Sequence, residues 1–240
     1  MKTATIGKGE IMEERTQDTS ELAESAQTRA GMYSFLANLF NQRPDLELVR
    51  RLREMGSEGF SIGVSQAEVS SDVEEGLQEM ASFIGATQGE PEEQVEQDLA
   101  VDWTRLFRGV SPSYGPPPPY EGVYLEGAGS PSDILQTIMQ TYHKFSVDID
   151  EKAANRPDYI GIELDFLRYL NESEADAWLD GDEGKALDFQ GAQRDFLARH
   201  LGRWVEKFCD RALEEAKTGF YRGFIRLTRG VLKEEIEAFH

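Results

Sequence analysis

The chain has 240 residues, 25 Lys and Arg against 45 Asp and Glu for a net charge of −20, and a single cysteine, Cys209. That length can bury a substantial core. The charge disfavours nucleic acid and anionic membrane surfaces, and one cysteine excludes a disulfide within the chain. An acidic field keeps a protein soluble and also steers cationic partners towards it.

No apolar run is long enough to span a bilayer. The opening MKTATIGKGEIMEERTQDTSELAES is polar and acidic, without the apolar stretch of a secretory signal. Both features lead to the expectation of a cytoplasmic protein, with residues 1–18 as a flexible tail ahead of one helical domain over 19–240.

Asp18 and Glu21 have the spacing of a capping box, which predicts a helix over 19–41. Leu22, Ala26, Ala30, Tyr33, Ala37 and Phe40 form its apolar stripe. Pro44 and Asp45 start a short second helix carrying Leu46, Val49, Leu52 and Met55. Residues 56–70 are rich in Gly and Ser and read as a loop. A third helix is predicted over 71–86, and Pro91 followed by two glutamates opens a fourth.

The fourth helix runs into DWTRLFRGVSPSYGPPPPYEGVYL, residues 102–125. Val95, Leu99, Trp103 and Leu106 share a helical face. Gly109 then offers a left-handed end, and the proline run 116–119 forbids helix and favours stiff polyproline II. A disordered linker would lack the aromatic content of Tyr114, Tyr120 and Tyr124. The stretch therefore reads as a rigid strap across a helical body. It is either a packed connector or the edge of a ligand groove.

A fifth helix is predicted over 131–145, and residues 146–156 form a polar connector that could act as a hinge. Pro157 and Asp158 start a sixth helix, PDYIGIELDFLRYLNESEADAW. Gly181 to Gly184 interrupt before a helix ending near His200, Gly202 marks a kink, and two further helices close the chain. No segment alternates convincingly with period two. The expectation is an all-α fold, one globular helical domain of about nine or ten helices, without solenoid repeats.

Catalytic and metal patterns are lacking. His143, His200 and His240 sit on separate segments, and only Glu237 and His240 have Glu-x-x-His spacing, so no metal site is expected. Gly184-Lys185 misses the phosphate-loop pattern, with Leu179 and Ala186 at positions that need Gly and Ser or Thr. Cys209, among Trp204, Phe208 and Leu213, reads as core. No nucleophile, base and oxyanion donor assemble. The expected class is a binding protein, not an enzyme, with no cofactor.

Three segments together resemble the TorD/DmsD/NarJ family of cytoplasmic chaperones that mature molybdenum-containing redox enzymes. They are DWTRLFRG with PPPYEGVYL, then RPDYIGIELDFLRYL, then FLARHLGRWVEKFCDRALEEAKTGFYRGF. They keep the family's order across about residues 20–235, and the family fold is all-helical. One position departs: the family's Pro-Asp-His reads Pro157-Asp158-Tyr159 here. Tyrosine keeps a ring and a hydroxyl but takes up no proton near neutral pH. Arg156 and Arg168 lie nearby in sequence but do not replace the histidine.

The resemblance implies a TorD-like chaperone that binds the twin-arginine leader and apo form of a molybdopterin oxidoreductase catalytic subunit, assists cofactor insertion and delays export. The alternatives are a weak nucleotide hydrolase and a permanent assembly subunit of a redox complex. The expected partners are that leader peptide and catalytic subunit, with no nucleic acid and no membrane insertion. The chain itself is a monomer or a domain-swapped dimer. A leader of two arginines and an apolar stretch calls for rings and carboxylates. The candidate peptide-binding residues are Asp102, Trp103, Leu106, Phe107, Tyr120, Glu121, Tyr124, Pro157, Asp158, Tyr159 and Glu163. Core packing equally explains Trp103, Leu106 and Phe107, and capping of its own helix equally explains Asp158.

Overall fold

In the computed structural model the described residues are 8–60, 69–109, 114–125, 131–148 and 156–239. Within them the chain forms ten α-helices and one 3-10 turn and no strand. The helices are α1 (Lys8–Asn41), α2 (Leu46–Gly59), α3 (Ser71–Ala86), α4 (Glu92–Phe107) and α5 (Glu121–Tyr124). After them come α6 (Pro131–Lys144), α7 (Ile160–Leu179), α8 (Glu183–Arg199), α9 (Val205–Glu215) and α10 (Gly219–Ala238), with the 3-10 turn at Leu201–Arg203. The all-α expectation and the helix count hold.

α2 runs on past a kink at Gly56 to Gly59 and so into the expected 56–70 loop, whose residues 61–68 lie outside the described residues. Two further boundaries differ from the sequence reading. α1 begins at Lys8, so residues 8–18 are helical and Asp18 lies inside the helix rather than capping it. The stretch EIMEERTQD has no proline or glycine to stop a helix that the following turns propagate. Residues 1–7 of the expected tail, and residues 149–155 of the expected hinge, lie outside the described residues. At the other boundary, α7 starts at Ile160, three residues after Pro157, with Tyr159 as its N-cap.

Two antiparallel helix pairs frame the body. α1 lies along α7: Asn41 donates to the Gly161 carbonyl at one end, and Arg29 reaches Asn171 and Glu174 further along. α3 lies along α10, where Gly76 and Gly223 meet backbone to backbone. A methyl group on Gly76 would lie 2.7 Å from the Gly223 carbonyl oxygen, so the two helices approach this closely only with glycine there. Arg229 of α10 clamps Asp72 of α3 through both guanidinium edge nitrogens, at 2.6 and 2.8 Å. That charge-assisted pair holds the Asp72 carboxyl below the usual carboxylate range.

Between the two pairs sits an aromatic core. Phe40 of α1 meets Phe107 of α4 at 4.9 Å and Phe224 of α10 at 4.8 Å between ring centroids, and Tyr221 packs edge-on to Phe107 at 5.5 Å. Cys209 is buried in this core, and burial pushes its thiol far above the ordinary range. Gly109 ends α4 at φ +60° as its sequence position foretold, and Pro118 packs where its Cβ would otherwise lie. That contact turns the proline strap back over the body.

Candidate functional site

The strap and the turn before α7 are joined backbone to backbone. Tyr120 and Tyr159 form an isolated antiparallel bridge. The Ile160 amide donates to the Pro119 carbonyl at 3.0 Å, and the Glu121 amide donates to the Asp158 carbonyl at 2.9 Å. Pairing of this kind needs extended backbone, which the proline run already favours on one side. It also explains why α7 cannot begin at Pro157.

This joint fixes where the candidate residues point. Asp158 does not cap α7. Its Oδ2 accepts from the Gly122 amide at 3.1 Å, in the first turn of α5, and its Oδ1 accepts from Arg156 Nε at 3.2 Å. Pro157 is buried in the turn, and its carbonyl accepts from the Tyr142 hydroxyl at 3.1 Å. Tyr159 is buried and donates its hydroxyl to the Phe40 carbonyl at 2.7 Å. Burial pushes its phenol well above the ordinary tyrosine range.

Several candidates face inward, away from any surface. Leu106 and Phe107 are fully buried in the aromatic core. Trp103 is buried and donates its indole N–H to the Leu39 carbonyl at 3.1 Å. The Asp102 carboxylate accepts from the Lys217 and Thr218 amides and from the Thr218 hydroxyl, at 2.8 to 3.2 Å, at the start of α10. There it meets the positive end of the helix dipole. Tyr124 is half-buried, stacked on Trp204 at 5.8 Å, and donates to the Pro117 carbonyl at 2.6 Å.

Glu121 and Glu163 are buried beneath the joint, together with Asp158. Glu121 Oε2 lies 2.9 Å from His200 Nδ1, a buried contact between α5 and the end of α8. Neither Glu163 oxygen has a hydrogen-bond partner among the described residues. Desolvation pushes its carboxyl well above the ordinary range, and the negative charges of Glu121 and Asp158 push it further the same way. The Trp204 indole opposes that shift without forming a well-aligned bond. Glu163 is one turn after Tyr159, as its spacing indicated, but that face looks into the protein.

The open surface lies on the other side of Tyr159. A cleft of about 830 Å³ separates the strap from α7 and the end of α6. Its walls are Tyr120, Tyr159, Ile162, Phe166 and Tyr169, with Tyr142 and Val147 at the α6 end. Asn41, Arg108, Asp148, Arg156, Asp165 and Arg168 supply its polar groups. Of the sequence candidates, only Tyr120 and Tyr159 line it. The steps 159, 162, 166 and 169 follow the three-four rhythm of one helical face, a signal present in the sequence beside the inward Tyr159–Glu163 pair.

The cleft's charges are largely paired. Arg168 bonds Asp165 at 2.7 Å and also Glu172. Arg108 lies 5.5 Å over the Trp103 ring. Arg156 stacks 3.5 Å over the Tyr120 ring while bonding Asp158. Among the described residues no three His, Cys, Asp or Glu side chains converge as metal ligands do, and no helix is long and apolar enough to cross a membrane.

Fold and cleft together define an all-helical protein with one aromatic-walled, ion-paired trough beside a proline strap. The chain belongs to the family described as nitrate reductase delta subunit, whose model matches residues 66–210. It is 26% identical over 225 residues to the perchlorate reductase assembly chaperone protein of Dechloromonas aromatica, covering 90% of this chain and 92% of that protein. It is 27% identical over 228 residues to the chaperone protein TorD of Aliivibrio fischeri, covering 91% and 97%. A stronger but shorter match, 38% over 101 residues, is to the chlorate reductase assembly chaperone protein of Ideonella dechloratans, spanning 42% of this chain and half of that protein. The family expected from the three sequence segments is therefore the family found.

Proposed function

We propose that this protein is a cytoplasmic chaperone for the catalytic subunit of a molybdopterin oxidoreductase, and that the cleft between Tyr120 and α7 receives the subunit's twin-arginine leader. It acts by binding rather than catalysis. The relatives' names support the chaperone class, since two of them are assembly chaperones of reductases. The observation that carries the reading is the cleft itself. Its volume of about 830 Å³ and its wall of Tyr120, Ile162, Phe166 and Tyr169 suit an apolar peptide segment. The net charge of −20 draws a cationic segment towards it.

In this reading the apolar part of the leader lies along the α7 face, and its arginines reach the strap end, where ring and carboxylate stand together. Holding the leader there keeps the apo-subunit from export until its cofactor is in place. The test is a titration of the full chain with a synthetic leader peptide. Wild type binds, and Tyr120→Ala binds about tenfold more weakly, the size of one aromatic contact, with its helical circular dichroism unchanged. Equal affinity in both proteins contradicts the site.

The family's description as a subunit favours a second reading, a permanent member of a redox complex. Co-purification at fixed stoichiometry with the mature, cofactor-loaded enzyme supports that reading. Release of the chaperone on cofactor insertion supports the first.

A further inference from the structure

We infer that the ring of Tyr120 and the Oδ1 atom of Asp158 form a seat for one arginine side chain of the incoming peptide, and that Arg156 occupies this seat as an internal stand-in until the peptide displaces it. This inference rests on the leader-binding reading above and adds a competing residue to it.

The geometry of Arg156 is that of a bound ligand. Its guanidinium lies 3.5 Å over the Tyr120 ring, and its Nε donates to Asp158 Oδ1 at 3.2 Å. A cation over an aromatic face with a carboxylate at its edge is how a foreign guanidinium would be held. Asp158 is only 2% exposed on its side chain, and its Oδ2 is fixed by the Gly122 amide. Oδ1 is thus a buried acceptor just behind the cleft wall, reached by Arg156, which lines the cleft and is its described partner. An acceptor like this is costly to leave empty and so demands a replacement donor when Arg156 leaves.

Arg156 is also built to leave. Its side chain is 45% exposed, and both groups that hold it belong to the seat. Its backbone is anchored separately, since its carbonyl accepts from the Tyr159 amide at 3.2 Å. The side chain can swing out while the turn before α7 keeps its shape. The other cleft arginines have different attachments: Arg168 is held by Asp165 and Glu172, and Arg108 lies over Trp103. Exchange of one guanidinium for another conserves the contacts of the seat, so selectivity for arginine over lysine follows from the planar match to ring and carboxylate.

The experiment uses the full chain with two small probes, N-acetylargininamide and N-acetyllysinamide, and then the leader peptide. Arg156→Ala empties the seat, and Arg156→Gln does so while keeping a polar side chain of similar reach. Both variants should bind the arginine probe about tenfold more tightly than wild type, the scale of one desolvated cation–π contact, with no matching gain for the lysine probe. Adding Tyr120→Leu to Arg156→Ala should erase the gain. The leader should also bind Arg156→Ala more tightly than wild type. An arginine-probe gain without leader binding in any protein upholds the seat and removes the leader reading. No gain for the arginine probe, an equal gain for lysine, or weaker leader binding by Arg156→Ala overturns the proposal.

Discussion

The Tyr159 hydroxyl donates a 2.7 Å hydrogen bond to the carbonyl of Phe40, 119 residues earlier in the chain. Phe40 is in the last turn of α1, where carbonyls lack helical partners and no basic residue is at hand to take them. Trp103 serves the neighbouring Leu39 carbonyl in the same way. Two rings expected at a ligand surface therefore close the end of the longest helix. Tyr159→Phe keeps the ring beside the cleft and removes only the donor. It should lower stability by about 1 kcal/mol, read as a shift in the urea midpoint at unchanged slope.

Asp102 ties the last turns of α4 to the start of α10 by accepting two amides and a hydroxyl. Asp102→Ala leaves those partly exposed donors without their buried acceptor and removes a charge from the positive end of α10. The expected loss is about 2 kcal/mol, within the range for hydrogen bonds to a charged group whose donors can partly turn to water. Peptide affinity of the folded variant should match wild type, because the carboxylate lies away from the cleft. Urea unfolding and the peptide titration check the two halves separately.

Glu163 provides a pH test. Its pKa is raised on folding by burial first, then by Glu121 and Asp158. The folded state thus binds the proton more tightly than the unfolded chain, whose glutamates titrate near about 4.3. The stabilisation is full below that value and is lost as pH rises towards the higher folded pKa. Glu163→Gln is neutral at every pH, so it escapes the loss. It should be more stable than wild type at pH 8, by roughly 1 kcal/mol on the scale of one buried unpartnered group. That advantage should shrink as pH falls towards 4.5. Thermal unfolding of both proteins across this range checks the slope.

The helices were legible because their punctuation is local. Gly109 ends α4, Pro91 stands as the N-cap of α4, and the break at Gly181 separates α7 from α8. The strap was legible as non-helical and aromatic for the same reason. The partners of its acids were not, because they come from far along the chain. Asp102 meets Thr218, and Glu121 meets His200, across 116 and 79 residues. Spacing placed Tyr159 and Glu163 on one face but could not say that this face turns inward. The cleft wall of Ile162, Phe166 and Tyr169 carried a helical rhythm, yet α7 is buried on most sides. Only the packing of α1, α6 and the strap around it shows which stripe stays open.

The most direct test of where the leader binds is photo-cross-linking from the leader itself. A benzophenone placed in the apolar part of a synthetic leader, irradiated with the full chain and mapped by mass spectrometry, should mark Ile162, Phe166 or Tyr169, with a probe next to the arginines marking Tyr120. Cross-links confined to another surface, such as the Glu79, Phe83 and Arg222 face between α3 and α10, would contradict the cleft as the recognition site.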